Sequence, residues 1–192
     1  MKRVLICVLV GLTTALGGGA ANAKECVGVS FAEQVTSGGA VLKLNGLGLR
    51  QATFLKVDVY VAALYVAQTS SDASAILESK TPRELLLHFV RDVDAAELNK
   101  GWDEGFENNA KSQLPTLRER IEAFKGLIGD MKTGQRLRII YEPGASIHVD
   151  VDGTVKGTIA GDDFARALFS IWLGSHPPSA SLKAGLLGGV CG

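Results

Sequence analysis

Apolar and polar residues alternate in several segments near the start of the chain, and this alternation predicts β-strands. Two such segments, residues 26–35 and 39–44, are separated by Ser37-Gly38-Gly39, which predicts a hairpin turn. A glycine-rich bend is expected at residues 45–50. Clean alternation then predicts a long strand over residues 53–65, with one buried face and one mixed face.

Helical spacing of apolar residues dominates the middle of the chain, between two further predicted strands at residues 84–90 and 136–141. Asp94 and Glu97 form a capping box that predicts the start of a helix, and a second helix is predicted over residues 112–128. The first of these helices presents a stripe on one face, which consists of Leu98, Trp102, Phe106 and Asn109.

The C-terminal part combines a hairpin with two more helices. Residues 147–149 and 155–159 are expected to pair, and the hydrophobic match favours a three-residue loop, Val151-Asp152-Gly153, over a two-residue turn. Helices are predicted to begin at Asp162 and Ser179. Strands near both ends, with helices between and after them, indicate an α+β fold: a largely antiparallel sheet with helices on one face.

The first segment matches the three parts of a secretory signal peptide. Lys2-Arg3 precedes an apolar run at residues 4–15, and small residues lead to Ala21-Asn22-Ala23, which fits the A-x-A cleavage pattern. A membrane anchor is the alternative, but this run is shorter than the ~20 residues that a spanning helix needs. We therefore expect cleavage after Ala23, a mature domain at residues 24–192 without a membrane span, and a periplasmic or secreted location.

Composition and charge narrow the possible function classes. The chain has 192 residues and a hydrophobic fraction of 46%, which is too apolar for a disordered protein and suits one domain with a real core. Its 20 basic and 20 acidic side chains balance to a net charge of +0. A protein that binds nucleic acid through the phosphate backbone is therefore not expected.

Two cysteines, Cys26 and Cys191, lie near the two ends of the expected mature chain. Secretion places them in an oxidising compartment, and domain termini often lie close together, so a disulfide between them is predicted. Two free buried thiols are the alternative. The sequence has no Cys/His cluster with metal-ligand spacing, and no metal or cofactor is expected.

Familiar catalytic signatures, such as phosphate-binding glycine loops, the nucleophile elbow and zinc-binding helix motifs, are absent from the sequence. Two positions stand out instead. Asn109 is an amide on an otherwise apolar stripe and needs hydrogen-bond partners if it is buried; the alternative is a partly exposed helix end. Arg50 lies where the glycine-rich bend enters a strand and could hold a carboxylate or enolate with two N–H donors; the alternative is a solvated surface charge.

Short ordered motifs extend over most of the chain. They are Leu47-Gly48-Leu49-Arg50, the strand that ends in Ala63-Leu64-Tyr65-Val66, the helix from Trp102 to Asn109, Pro143-Gly144-Ala145-Ser146-Ile147, and Ile171-Trp172-Leu173-Gly174. Together they resemble the chalcone isomerase family over about residues 41–187, in particular its secreted bacterial members. The resemblance implies an open-faced sandwich with a ligand cleft between the sheet and the helices.

The same resemblance implies roles for individual residues. In the true isomerases an Arg stabilises the attacking phenolate and the developing enolate, and a helix Asn binds a ligand hydroxyl; Arg50 and Asn109 match these two residues. The Tyr and Thr that act on the ketone align with Trp102 and Tyr60, and a later Ser or Thr falls near Ala165. The cation and the amide are thus retained, whereas the ketone-polarising hydroxyls are mostly lost, which implies weak flavonoid cyclisation.

These residues favour a periplasmic protein that binds a small apolar ligand with an anionic head, such as a fatty acid. Arg50 would pair with the head together with Tyr60, and Trp102, Phe106 and Asn109 would line the cleft. Two alternatives stay open. One is an intramolecular lyase or isomerase that cyclises a phenolic enone, with Arg50 and Tyr60 as catalytic residues. The other is a structural or partner-binding protein whose own side chains fill the cleft.

Overall fold

A computed structural model describes residues 22–52 and 55–191 of the chain. The expected signal peptide lies outside this part except for its last two residues, so cleavage after Ala23 stays a prediction.

The described residues form a seven-stranded antiparallel sheet in which every strand neighbours the one that follows it in sequence. A separate two-stranded hairpin, β1 (Ala23–Cys26) and β2 (Val29–Ala32), precedes the sheet. The strands of the sheet are β3 (Gln34–Ser37), β4 (Ala40–Ala52), β5 (Val57–Val66), β6 (Arg83–Phe89), β7 (Arg136–Glu142), β8 (Ser146–Val151) and β9 (Thr154–Ala160). The helices are α1 (Ala73–Glu78), α2 (Ala95–Ala110), α3 (Leu114–Gly126), α4 (Asp162–Leu173) and α5 (Ala180–Leu186). The predicted α+β fold with an antiparallel sheet is confirmed.

Two hydrophobic cores lie on the two faces of the sheet. The helices cover one face, and the helix-side core is rich in aromatic rings, among them Tyr60, Phe89, Trp102, Phe106, Phe124, Phe164, Phe169 and Trp172. The β1–β2 hairpin covers part of the other face and forms the hairpin-side core, which consists of Cys26, Phe31, Leu42, Leu44, Leu47, Leu49, Val61, Ala63, Tyr65 and Leu86. Large aromatic side chains bury the most area per residue, so the helix side contributes the larger share of hydrophobic stabilisation.

The glycine-rich segment in β4 is strand rather than the expected bend. A Cβ atom on Gly46 would meet the backbone oxygen of Gly185, and one on Gly48 would meet that of Leu182. Because both oxygens belong to α5, these glycines let the helix approach the strand closely. The prediction of a bend was wrong, since the sequence does not show that a helix packs directly on this strand.

The long strand predicted over residues 53–65 is shorter and more buried than expected. Residues 53–54 lie outside the described part, Leu55-Lys56 is a turn, and β5 begins at Val57. Residues Ala62 and Leu64 face the helix-side core, whereas Val61, Ala63 and Tyr65 face the hairpin-side core. The face that was expected to be mixed carries Tyr60 and Ala62, and that prediction was wrong there because the helices pack on it; the β1–β2 hairpin covers the face that was expected to be buried.

The β8–β9 hairpin has the two-residue turn rather than the three-residue loop. Val151 pairs with Thr154, and the turn residues Asp152 and Gly153 both have positive φ, 51° and 81°. Mirror-image turns of this kind match the twist of the strands. A bulge between Val149 and Asp150 then shifts the register of β8 and β9. Apolar residues of the two strands therefore face each other because of this bulge, and not because of a longer loop.

Candidate ligand-binding site

A cleft of about 400 Å³ lies between the sheet and helices α2 and α4. The strands contribute Arg50, Ala52, Val59 and Tyr60, and the segment that precedes α5 contributes His176, Pro177 and Pro178. The helices and the loop before α2 contribute Val93, Glu97, Leu98, Lys100, Gly101, Trp102, Glu104, Gly105, Asn108, Ile171 and Trp172. This volume is within the range of about 300–1,000 Å³ that is usual for small-molecule sites.

Arg50 and Tyr60 are brought together by strand pairing, because they lie opposite each other in the register of β4 and β5. The Arg50 Nη1 atom donates to the backbone oxygens of Gln51 and Pro178, the latter at 3.3 Å. None of the ion pairs among residues 22–52 and 55–191 includes Arg50. The cleft therefore contains a half-buried guanidinium that is held by carbonyl groups and is not neutralised by a carboxylate of the described chain.

Tyr60 also lines the cleft, and the residue is only 8% exposed. Its oxygen accepts a hydrogen bond from Trp172 Nε1 at 3.1 Å. Burial raises the pKa of Tyr60, and the Trp172 hydrogen bond and the charge of Arg50 lower it to a lesser extent. The group is therefore a neutral phenol at physiological pH and can donate a hydrogen bond.

Trp102 forms an apolar wall of the cleft rather than a polar one. Its ring packs edge-to-face against Trp172 and Phe124, with centroid distances of 5.7 Å and 5.4 Å. Its Nε1 atom is buried and has no hydrogen-bond partner among the described residues. The helix position that carries a ketone-directed hydroxyl in true chalcone isomerases thus carries no exposed donor here.

Phe106 and Asn109 lie outside the lining of the cleft. Phe106 is buried in the helix-side core, 6.0 Å from the ring of Phe164. Asn109 bonds both backbone groups of His176: Nδ2 donates to the carbonyl oxygen at 2.9 Å, and Oδ1 accepts from the N–H at 3.0 Å. Asn109 therefore faces the segment that precedes α5. Its two hydrogen bonds fix the backbone next to Pro177 and Pro178, which form a wall of the cleft.

The sequence reasoning missed several residues that line the cleft. Glu97, Gly101, Glu104 and Asn108 recur at helical spacing beside the apolar stripe of α2, and this second stripe faces the cleft. The periodicity was available in the sequence, but which side of the apolar stripe borders a cavity depends on the packing of α4. The lining carries charges of both signs. Within it, Nζ of Lys100 lies 3.9 Å from Oε1 of Glu104 at the helix surface.

Cys26 and Cys191 form a disulfide in the structure, with their Cα atoms 6.0 Å apart and a sequence separation of 165. The bond ties the β1–β2 hairpin to the segment that follows α5. Cys26 belongs to the hairpin-side core, and neither cysteine lines the cleft. Within residues 22–52 and 55–191, no group of His, Cys, Asp and Glu side chains is arranged to hold a metal ion. No described helix is long and apolar enough to cross a membrane.

An antiparallel sheet covered by helices, with a cation in a cleft between the two layers, defines an open-faced sandwich. The chain belongs to the chalcone isomerase-like family, whose model matches residues 23–188. It is similar in structure to a fatty-acid-binding protein of Arabidopsis thaliana, with a TM-score of 0.70, 15% identity, and coverage of 86% of this chain and 96% of that chain. No curated protein matches the sequence.

Proposed function

We propose that this protein binds a small apolar ligand with an anionic head, of the fatty-acid type, without catalysing a reaction on it, and that it does so in the periplasm or after secretion. The observation that carries the proposal is the position of Arg50. Its guanidinium lies in the wall of an open cleft that combines aliphatic, aromatic and proline side chains with the polar side chains of Glu97, Lys100, Glu104, Asn108 and His176. An unneutralised cation beside such a surface matches a ligand with a carboxylate at one end and an apolar body.

The cleft chemistry supports a carboxylate head over a neutral one. Arg50 supplies charge, and the neutral Tyr60 hydroxyl supplies a hydrogen-bond donor on the neighbouring strand. Both groups favour an acceptor, and a carboxylate has two acceptor oxygens. The carboxylates of Glu97 and Glu104 also border the cleft, and Glu104 has Lys100 as a neighbour. The similar fold of a fatty-acid-binding protein agrees with this proposal.

An enzyme that cyclises a phenolic enone is the second candidate, because Arg50 and Tyr60 lie together in the cleft. A phenol donor beside a guanidinium could stabilise a developing enolate. The apolar Trp102 wall argues against efficient catalysis, since it provides no exposed donor for the ketone. The open cleft disfavours the third alternative, a structural protein whose own side chains fill the site.

Replacing Arg50 tests the proposal directly. We expect Arg50→Ala to weaken binding of decanoate, a medium-chain fatty acid, by roughly 2–5 kcal/mol, because a desolvated carboxylate loses its charged partner. Arg50→Lys should rescue binding poorly, since an ammonium group lacks the two-pronged donor geometry. Titration calorimetry measures the affinities, and thermal unfolding checks that the variants remain folded.

The matched control is Arg136→Ala, which removes an arginine from the opposite face of the sheet and should leave decanoate affinity unchanged. Equal affinity of the wild type and Arg50→Ala would remove Arg50 from the site. Efficient chalcone cyclisation that depends on Arg50 would replace the binding proposal with the enzyme. Native mass spectrometry of protein purified from its own host would show the bound ligand directly.

A further inference from the structure

The hydrogen bond between Trp172 and Tyr60 restricts what the Tyr60 hydroxyl can do. Trp172 is 1% exposed and lies on α4, whereas Tyr60 lies on β5, so the bond joins the two layers that enclose the cleft. An indole N–H can only donate, and therefore the Tyr60 oxygen is the acceptor in the 3.1 Å contact.

The remaining hydrogen-bonding capacity of Tyr60 follows from this assignment. A phenol has one hydrogen to donate, and that hydrogen points away from a donor that already occupies its oxygen. No described residue accepts a hydrogen bond from the Tyr60 hydroxyl. Since Tyr60 lines the cleft, the unused hydrogen is left for an acceptor atom of the bound ligand.

We propose that Trp172 is a positioning residue for the ligand: its indole N–H occupies the acceptor side of the Tyr60 oxygen and commits the hydroxyl hydrogen to an oxygen of the ligand head group. The cleft then selects head groups that accept hydrogen bonds. This inference rests on the proposed function, because it concerns the same cleft and the same ligand class.

Trp102 provides an internal comparison for Trp172. Both indoles are buried, both line the cleft, and their rings contact each other edge-to-face at 5.7 Å. They differ in that the Trp102 Nε1 atom has no hydrogen-bond partner within the described part of the chain. Replacing either indole by phenylalanine removes a similar amount of packing, but only one replacement removes a donor to Tyr60.

A double-mutant cycle with decanoate separates positioning from packing. We expect Trp172→Phe to weaken decanoate binding about three- to tenfold in the wild-type background, the size of one neutral hydrogen bond. In a Tyr60→Phe background the same replacement should weaken binding by less than about twofold, because the hydroxyl it positions is gone. Trp102→Phe should have the same effect in both backgrounds.

Nuclear magnetic resonance supplies a readout that does not depend on a ligand. The chain has two tryptophans, so isotope-labelled protein gives one indole N–H signal for each, and Trp172→Phe assigns them. We expect Tyr60→Phe to shift the Trp172 signal upfield, since its N–H loses an acceptor, and to leave the Trp102 signal nearly in place.

Equal losses from Trp172→Phe in both backgrounds would overturn the positioning role, and so would an unmoved Trp172 signal in Tyr60→Phe. If the wild type binds no decanoate, the proposed function fails and the ligand role of Trp172 fails with it. In that case the indole shift still decides separately whether Trp172 holds Tyr60.

Discussion

The two faces of the sheet are closed by different means. On the helix side, aromatic side chains of α2, α3 and α4 pack on the strands and leave a cleft at one end. On the hairpin side, two short strands cover only part of the sheet, and a disulfide fixes them to the C-terminal segment. The cleft therefore lies on the side of the sheet where large aromatic rings form the core. The disulfide lies on the side where only a small hairpin covers the sheet.

Charged residues show the same contrast. On the hairpin side, Glu84 is 0% exposed and accepts hydrogen bonds from Arg138 Nε and Nη2 at 2.9 Å and 2.8 Å. On the helix side, Arg50 is bonded to backbone oxygens, and no carboxylate of the described residues pairs with it. A buried charge with a matched partner indicates a structural role, whereas an unmatched cation in a cleft indicates a place for a ligand.

The largest expected effect follows from removing the disulfide by the double replacement Cys26→Ser and Cys191→Ser. Closing a loop of this length stabilises by up to about 5 kcal/mol in the chain-entropy model, and measured values are often lower. The affinity for decanoate should change little, because Asn45 holds α5 independently through a 2.8 Å hydrogen bond to the Leu186 oxygen. Denaturant unfolding and calorimetry measure the two quantities.

A large loss of affinity in the double Ser variant would break the comparison, since it would show that the hairpin side positions the cleft. Wild-type stability in that variant would show that the bond contributes nothing. The complementary control is Arg50→Ala, which should change affinity without changing stability.

The next effect in size is expected from the Glu84–Arg138 pair. We expect Arg138→Met to destabilise the fold by about 3 kcal/mol, because it leaves a buried carboxylate without its cation. This is the lower end of the usual range, since the Arg138 side chain is still 29% exposed. Arg136→Met, on the same face of β7, is the control and should change the free energy of unfolding by less than about 0.5 kcal/mol. Equal losses in the two variants would contradict the structural role of the pair.

The sequence was informative where a pattern has a local cause. Asp94 was correctly predicted as the N-cap of α2, since its Oδ1 accepts from the N–H of Glu97 at 2.7 Å. The buried strand β6 followed from its apolar run. Register in the β8–β9 hairpin was not predictable, because a turn and a bulge can compensate for each other. The bulge at Val149–Asp150 lies beside Gly157, and a glycine inside a strand suggests a bulge without fixing the register.

Prediction of the site was limited in a similar way. Arg50 was singled out by its position at the glycine-rich segment and then by resemblance, and Tyr60 by resemblance alone, whereas the strand register that sets them side by side is a tertiary fact. Asn109 is partly exposed near the end of α2, as the alternative had it, and its hydrogen-bond partners in His176 lie far away in sequence. Spacing on one helix shows which residues share a face, and it does not show what that face contacts.

The smallest effect is expected from a second arginine–carboxylate pair, which lies at the surface on the helix side. Arg120 on α3 donates to both oxygens of Asp163, each at 2.7 Å, at the start of α4. The geometry is as good as that of Glu84 and Arg138, but the two side chains are 30% and 55% exposed. We therefore expect Arg120→Met to cost less than about 1 kcal/mol at neutral pH.

The pH dependence of the stability difference between wild type and Arg120→Met shows whether the ion pair of Arg120 with Asp163 causes it. The hydrogen bond from Arg120 is the main cause that lowers the pKa of Asp163 in the folded protein. A depressed pKa contributes stability that is full above the unfolded value of about 3.9 and is lost as the pH falls through the folded value. The difference in the free energy of unfolding between wild type and Arg120→Met should thus be constant near neutral pH and vanish in acid. The control is Arg118→Met, on the same helix, which should show no such pH dependence. A loss as large as that of Arg138→Met would show that burial does not separate the two pairs.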